Sequence, residues 1–333
     1  MKKRKIIIDT DPGIDDAFAL LTAFNYQGFD LLGVTVVAGN TGLDSALNNA
    51  LGLVKLAEID CQVYPGAHSS LKNLQKGAEA NPYSSNTHGE GGLGGVVLEV
   101  DRRHLSNTSA ADFIIETVKD NPGQIELITL GPLTNLALAI QKDPVTMRKV
   151  KKIWSMGGGV QRGNRTVVAE FNYWADPEAV DLVYSLGEEV EINMIGLDVT
   201  AQTSFTINEL FFLKKEGGKI GRLLSQMAEQ YTEVYWDRFR ITGCIIHDLV
   251  AVMIAIDPTI CSESDRYQNV NLRIETAGLS RGQTLVDLYG HRDLKDYPKN
   301  ATVYMGIDHK KYKQRFIEVL FNDLSDLYQK YLL

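Results

Sequence analysis

The chain has 333 residues, 44% hydrophobic and 23% charged, the balance of an ordinary soluble globular protein. Its 34 basic and 42 acidic residues leave a net charge of −8, and the one basic block, Lys2-Lys3-Arg4-Lys5, is short, which argues against nucleic acid or an anionic membrane as partner. That block leads into only three apolar residues, so it is no signal peptide. No apolar run reaches the roughly 18 residues of a membrane span, and Cys61, Cys244 and Cys261 show no C-x-x-C spacing; a cytoplasmic protein is expected.

Apolar strand-like runs alternate with helical patterns along most of the chain. Residues 5–9 read as a first strand, and Asp15 to Asn25 as a helix turning Ala17, Phe18, Leu20 and Leu21 inward. Leu31–Val37 follows as a buried strand and 43–58 as a second helix. Residues 66–108, rich in Gly, Ser and Asn, read as a long functional loop region. Ile125–Leu130 is a strand, after which Gly131-Pro132 opens a helix through Ala139. Lys151–Met156 is a strand ending in a glycine loop. Asp176-Pro177-Glu178 starts a helix with an Asp cap, and Val190–Ile195 is another strand. Residues 205–256 read as a helical excursion, with strands again at 267–275 and 283–288 and a last helix over about 308–331. Strands separated by helices imply βαβ units. The expectation is a single α/β domain over 1–333, Rossmann-like, with an open, mainly parallel (mixed) sheet flanked by helices.

The chemistry concentrates behind the first strand, in Asp9-Thr10-Asp11-Pro12-Gly13-Ile14-Asp15-Asp16. A turn there lies at the carboxyl end of a strand, where open α/β sheets bind ligands. Carboxylates crowded this closely repel by a few kcal/mol, and an oxygen-liking cation relieves that. Asp11, Asp15 and Asp16 can supply carboxylates from one turn, and His247-Asp248, opening an apolar helix, is a distant partner, although Asp248 also suits an N-cap. His247 would then stand beside the metal, free to act as acid or base. The histidines and cysteines form no zinc-like spacing. Met156-Gly157-Gly158-Gly159 through Gly163-Asn164 lacks both the P-loop and the dinucleotide fingerprint, so it reads as a turn for close approach. Glu170 and Asn172, alternating on a segment read as extended, suit a pair of vicinal hydroxyls. Tyr231 and Tyr235 share one helical face, a spacing that core packing also produces. His88, set among glycines, suits a binding loop that closes over substrate.

Taken together, DTDPGIDDA, VAGN at 37–40, NTHGEGGLG at 86–94, LGPLTN at 130–135, MGGG with Gly163-Asn164, AEFN with DPEA at 169–179, and His247-Asp248 resemble the nucleoside hydrolase family, from residue 5 to about 290. The resemblance implies a calcium-dependent enzyme, often called inosine–uridine preferring, that cleaves the N-glycosidic bond of ribonucleosides. It places Ca2+ on the carboxylates of Asp11, Asp16 and Asp248 and on the carbonyl of Leu130, with Asp11 taking the proton from a metal-bound water that attacks an oxocarbenium-like ribosyl centre. Asp15 and Asn172 would hold the ribose 2′ and 3′ hydroxyls, Asn40 would lie by the metal and water, Asn164 and Glu170 would hold the 5′ end, and Met156 would line the sugar site. His88, Phe171, Tyr231, Tyr235 and His247 would surround the base, with His247 protonating it as it leaves. Dimers or tetramers are further implied. The chain departs from many members in having Ala201 after Gly196-Leu197-Asp198-Val199-Thr200, and the pairing of His88 with His247 resembles the broad or pyrimidine-accepting branch.

Two other readings compete. Asp9-x-Asp11 behind an apolar strand resembles the haloacid-dehalogenase phosphatases, but Gly13 stands where those expect Thr or Val. A catalytically silent ribose- or nucleoside-binding protein on the same scaffold would not need His247 and the complete set of aspartates.

Overall fold

Nine strands line up in the order β10-β9-β11-β6-β5-β4-β1-β2-β3. They are β1 (Arg4–Thr10), β2 (Phe29–Val36), β3 (Val63–Pro65), β4 (Ile125–Thr129), β5 (Lys152–Met156), β6 (Glu191–Ile195), β9 (Arg266–Ile274), β10 (Thr284–Asp287) and β11 (Ala301–Tyr304); β7 (Phe205–Thr206) and β8 (Gly243–Cys244) pair separately. The computed structural model describes residues 2–77, 86–291 and 297–333. From β3 across to β11 every neighbour is parallel, while β9 runs antiparallel to both β11 and β10. The fold is therefore α/β with a mainly parallel, mixed sheet. Its central strands are apolar on both faces because helices cover both; all five residues of β4 are buried.

The chain runs from β1 outward to β2 and β3, then returns to the other side of β1 for β4, β5 and β6. The strand order thus reverses between β1 and β4, which opens a crevice at their carboxyl ends. Asp11, Asn40, Leu130 and Met156 follow or end β1, β2, β4 and β5 and so arrive at one edge.

The helix Ile14–Asn25 packs against the helix His247–Ile256. Expected as the end of the helical excursion, His247–Ile256 instead lies in the core layer and also contacts β5; from Asp248 onward every residue of it is buried. An all-round apolar helix needs such a place. Between β6 and that helix, Ile207–Glu216 and Gly218–Phe239 form the part that rises above the sheet edge. Several elements have no counterpart in the sequence analysis, among them β3, β11, the short pair β7 and β8 inside the expected helical excursion, and the helix Ala110–Asp120, whose Ser109 cap accepts from the Asp112 N–H. Strands β3 and β11 are only three and four residues long. Among its described residues, the loop expected over 66–108 holds one short helix, Leu71–Gln75, and three single 3-10 turns. Of that loop region, residues 78–85 lie outside the described residues.

At the opposite, amino edge of the sheet, Glu126 of β4 ties three strands together. It accepts from Arg4 (2.5 Å) on β1, Lys151 (2.8 Å) just before β5 and the Trp154 indole (3.0 Å). Burial alone would raise the Glu126 pKa; these bonds outweigh it and bring it down to about 2. Glu126→Gln is expected to cost about 3 kcal/mol at pH 7, because it leaves cations without their partner. A depressed carboxylate stabilises above its unfolded pKa of about 4.3 and loses that contribution as pH falls towards the folded value. Denaturant unfolding at pH 7 and pH 3 should therefore show the gap between wild type and variant narrowing; a gap independent of pH would refute the electrostatic account.

Candidate active site

The turn after β1 carries the site. Asp16 accepts from the Gly13 N–H (2.8 Å), from Asn40 (3.1 Å) and from Thr10, so it caps the first helix from within that helix's first turn. Asp11 Oδ2 accepts from the Asn40 N–H at 2.7 Å, whereas its Oδ1 is buried without any hydrogen-bond partner. Asp15 accepts from the Tyr231 hydroxyl at 2.9 Å. Oxygen atoms of Asp15, Asp16 and Asp248 lie within 4.8 Å of one another. Among the described residues none of these four aspartates forms an ion pair with lysine or arginine; His88 stands 3.8 Å from Asp15.

Burial first, and then the charge of Asp16, pushes Asp11 well above the usual carboxylate range; burial followed by the charges of Asp15 and Asp16 does the same to Asp248. Burial lifts Asp15 to about 6 and also raises Asp16. A divalent cation would remove both the repulsion and the desolvation cost, and the donors on offer are hard oxygens, including the unpartnered Asp11 Oδ1. The residues present therefore fit a hard metal ion. Leu130, whose carbonyl is the expected backbone donor, has that oxygen held by the Asn172 amide at 2.7 Å.

Two glycines make the floor possible. A Cβ on Gly39 would come within 2.0 Å of Asp11 Oδ2, and one on Gly131 within 2.5 Å of Oδ1. A third, Gly13, lets His88 approach: a Cβ there would lie 2.3 Å from its Nδ1. The Ile14 N–H donates to that same nitrogen at 3.1 Å, which leaves the ring proton of neutral His88 on Nε2. The loop carrying His88 reaches this position through Gly89, Gly91 and Gly92, all at positive φ.

A cavity of about 250 Å³ opens onto this floor. It is lined by Asp15, Asn40, His88, Leu130, Met156, Asn164, Glu170, Phe171, Asn172, Tyr231, Tyr235, His247 and Asp248, the whole expected set apart from Asp11 and Asp16, which are fully buried behind it. Glu170 and Asn172 reach it differently from the sequence reading. They are not on an extended segment: Glu170 caps the short helix Phe171–Ala175, with its carboxylate taken up by the N–H groups of Gly158 (2.9 Å), Asn172 (2.9 Å) and Tyr173 (3.1 Å). Burial nonetheless raises it to about 7. Asn164 accepts from the Phe171 N–H at 2.9 Å and so fastens the glycine loop to the same helix.

Across the cavity, His247 is held at both ring nitrogens, Nδ1 by the Thr200 hydroxyl (2.7 Å) and Nε2 by the Tyr235 hydroxyl (3.0 Å). Burial is the main cause that lowers His88 and His247 to about 4, so both rings are neutral at pH 7. Tyr231 and Tyr235 are core-like in burial yet present their hydroxyls to the cavity. Sequence reasoning missed Thr200, Arg162 and Arg238, and also Asp198, which accepts from the N–H groups of Val160 (2.6 Å) and Gln161 (3.0 Å) and shapes the glycine loop. Only the GLDVT string offered a signal for Asp198 and Thr200. Asp9 lies sealed within β1 under Thr35 and Asn135 and does not line the cavity, which removes the phosphatase reading.

Residues 6–314 match the family described as inosine-uridine preferring nucleoside hydrolase. Over 308 residues the chain is 36% identical to the pyrimidine-specific ribonucleoside hydrolase RihB of Escherichia coli O1:K1 / APEC, covering 92% of this chain and 94% of that protein. Among solved structures it resembles the plant nucleoside hydrolase PpNRh1 (TM-score 0.87, 31% identity, 95% and 98% of the two chains). It also resembles the purine-preferring ribonucleoside hydrolase of Gardnerella vaginalis (TM-score 0.84, 30% identity, 97% and 100%).

The glycine contacts give a direct test of the floor. Gly39→Ala should weaken divalent-metal binding at least about tenfold, because its Cβ displaces the Asp11 carboxylate, whereas Gly42→Ala, with nothing within 4 Å of its Cβ, should not. Titration calorimetry compares the two, and equal affinities would remove Asp11 from the metal floor.

Proposed function

The chain belongs to the inosine-uridine preferring nucleoside hydrolase family, and on that premise we propose how its own residues hydrolyse ribonucleosides to ribose and free base. The observation that carries the proposal is the joining, in one cavity, of a buried carboxylate floor to a wall of tyrosine and histidine. The family is metal-dependent. We assign the ion as calcium, held by Asp11, Asp16, Asp248 and the Leu130 carbonyl. When bound, it supplies positive charge that offsets the crowded carboxylates and makes water easier to deprotonate.

Asp11 is the base: the Asn40 N–H on its Oδ2 orients the carboxylate, which takes the proton of the attacking water. Asp15 and Asn172 hold the 2′ and 3′ hydroxyls, fixing the ribose while positive charge develops at its anomeric carbon, and the carboxylates beneath stabilise that charge. Asn40 orients the water and Asp11. Asn164 and Glu170 bound the 5′ end, with Met156 beneath the sugar. Because Glu170 spends its carboxylate on three backbone N–H groups, it acts mainly by fixing Asn172 and the glycine loop.

The base leaves between His88, Phe171, Tyr231, Tyr235 and His247. Burial keeps His247 neutral, so it helps departure by donating a hydrogen bond from a ring N–H through the Thr200–His247–Tyr235 chain rather than as an imidazolium. We further read the chain as one domain, a cytoplasmic dimer or tetramer that accepts pyrimidine nucleosides; RihB, named as pyrimidine-specific, supports the last.

Three measurements test these roles. Asp11→Ala should abolish turnover and calcium binding together; undiminished turnover would end the assignment. His247→Ala should slow inosine cleavage by about 100-fold or more while sparing a nitrophenyl riboside, whose leaving group needs no help; equal losses would remove His247 from leaving-group assistance. The inosine rate should not fall between pH 6 and 8 through His247, because its pKa is lowered to about 4; a decline centred near 6.5 would instead mark a charged acid.

A further inference from the structure

The charged residues lining the cavity are sorted by sign. Asp15, Glu170 and Asp248 are buried, whereas Arg162, Arg165 and Arg238 lie at the mouth and are exposed. In a chain of net charge −8, Arg4, Arg103, Arg281 and Arg315 each pair with a carboxylate. Arg162 and Arg238 form neither an ion pair nor a hydrogen bond among the described residues, and Arg165 is parked 4.3 Å over the Trp174 ring. Arg238 lies three residues beyond Tyr235 on the helix Gly218–Phe239, and so on the same face. The positive charge of Arg162 is felt at both His247 and Tyr235, and that of Arg238 at Tyr235. Val234 and Phe239, from the same helix, line the mouth with apolar surface, which lets the field of the two guanidiniums reach inward with less screening. Arg238 thus stands over the end of the cavity assigned to the base, and Arg162, two residues before Asn164 on the glycine loop, lines the same mouth.

We propose that Arg162 and Arg238 form an anion subsite at the base end, fitted to ribonucleosides whose base carries a carboxylate. The planar guanidinium is suited to binding a carboxylate through paired N–H donors. A 5′-phosphate presents the same oxyanion chemistry, but the neighbours of these arginines, Tyr235 and His247, belong to the base end. The inference rests on the assignment of those two residues to the base.

The test uses the calcium-loaded full chain. Rates with uridine, a ring-carboxylated uridine and uridine 5′-monophosphate are compared for wild type and the Arg162→Gln/Arg238→Gln double variant. Expected is a fall of about tenfold or more in the ratio of kcat/KM for carboxylated over plain uridine in the variant, with the wild-type ratio also falling in 0.5 M salt, as screened charges require. An unchanged ratio, or a loss confined to the monophosphate, overturns the proposal. Calorimetric binding of the free carboxylated base against uracil gives a readout independent of turnover. Equal affinities of wild type and variant for the carboxylated base would overturn the subsite even if no riboside were cleaved, whereas absent cleavage alone would count only against the reaction assignment.

Discussion

The site is arranged around four buried carboxylates that, among the described residues, no lysine or arginine neutralises. Three of them, Asp15, Asp16 and Asp248, lie under 5 Å apart, where charges repel by about 3 kcal/mol per pair even with the effective screening of a protein interior. A floor of this kind holds together only if the carboxylates share protons or surround a cation, and the fold supplies the geometry for a cation. The aspartates come from two places, the turn after β1 and the start of the helix His247–Ile256, and the packing of that helix against Ile14–Asn25 brings them together. The apolar core below the site is therefore what sets the distance between the metal-binding groups.

The backbone solves much of the remaining problem. Asp16 caps the helix that follows it, Asp11 takes the Asn40 N–H, and Glu170 is held by three backbone N–H groups. Each carboxylate is oriented by donors whose positions the secondary structure fixes, so little side-chain freedom is left to lose on binding. The glycines at 39 and 131 belong to the same solution, since any side chain there would occupy the space of Asp11. In the proposed assignment, the backbone-fixed sugar end contrasts with the base end. There the contacts come from the His88 loop and from the helices above the sheet, through hydroxyls and imidazoles that can exchange partners.

A common reaction with variable base preference follows from that division. The ribose is the constant part of every ribonucleoside, and in the proposed assignment it is met by strand ends and helix starts. The base is the variable part, and in the same assignment it is met by elements that lie off the sheet, where Arg162 and Arg238 line the cavity mouth away from the buried floor. Relatives named as pyrimidine-specific and purine-preferring share this architecture.

The sequence by itself was enough for the α/β class, for the order of the central strands along the chain and for the acidic turn, because strand-turn-helix periodicity and a local run of aspartates are short-range signals. The family resemblance added the distant residues, most of which the structure gathers around one cavity. The short strands β3 and β11 escaped because strands of three and four residues carry no period and are stabilised by neighbours distant in sequence. Glu170 and Asn172 stand at a helix start, not on the extended segment their alternation suggests; Glu170 caps that helix locally and also takes the Gly158 N–H from the glycine loop, a contact that only the tertiary structure supplies. Thr200 behind His247, the pairing of Tyr231 with Asp15 and the sorting of arginines from aspartates were likewise decided only by the tertiary structure. Each joins side chains tens to hundreds of residues apart, and only the packing of the sheet, its helices and the loops between them sets such distances.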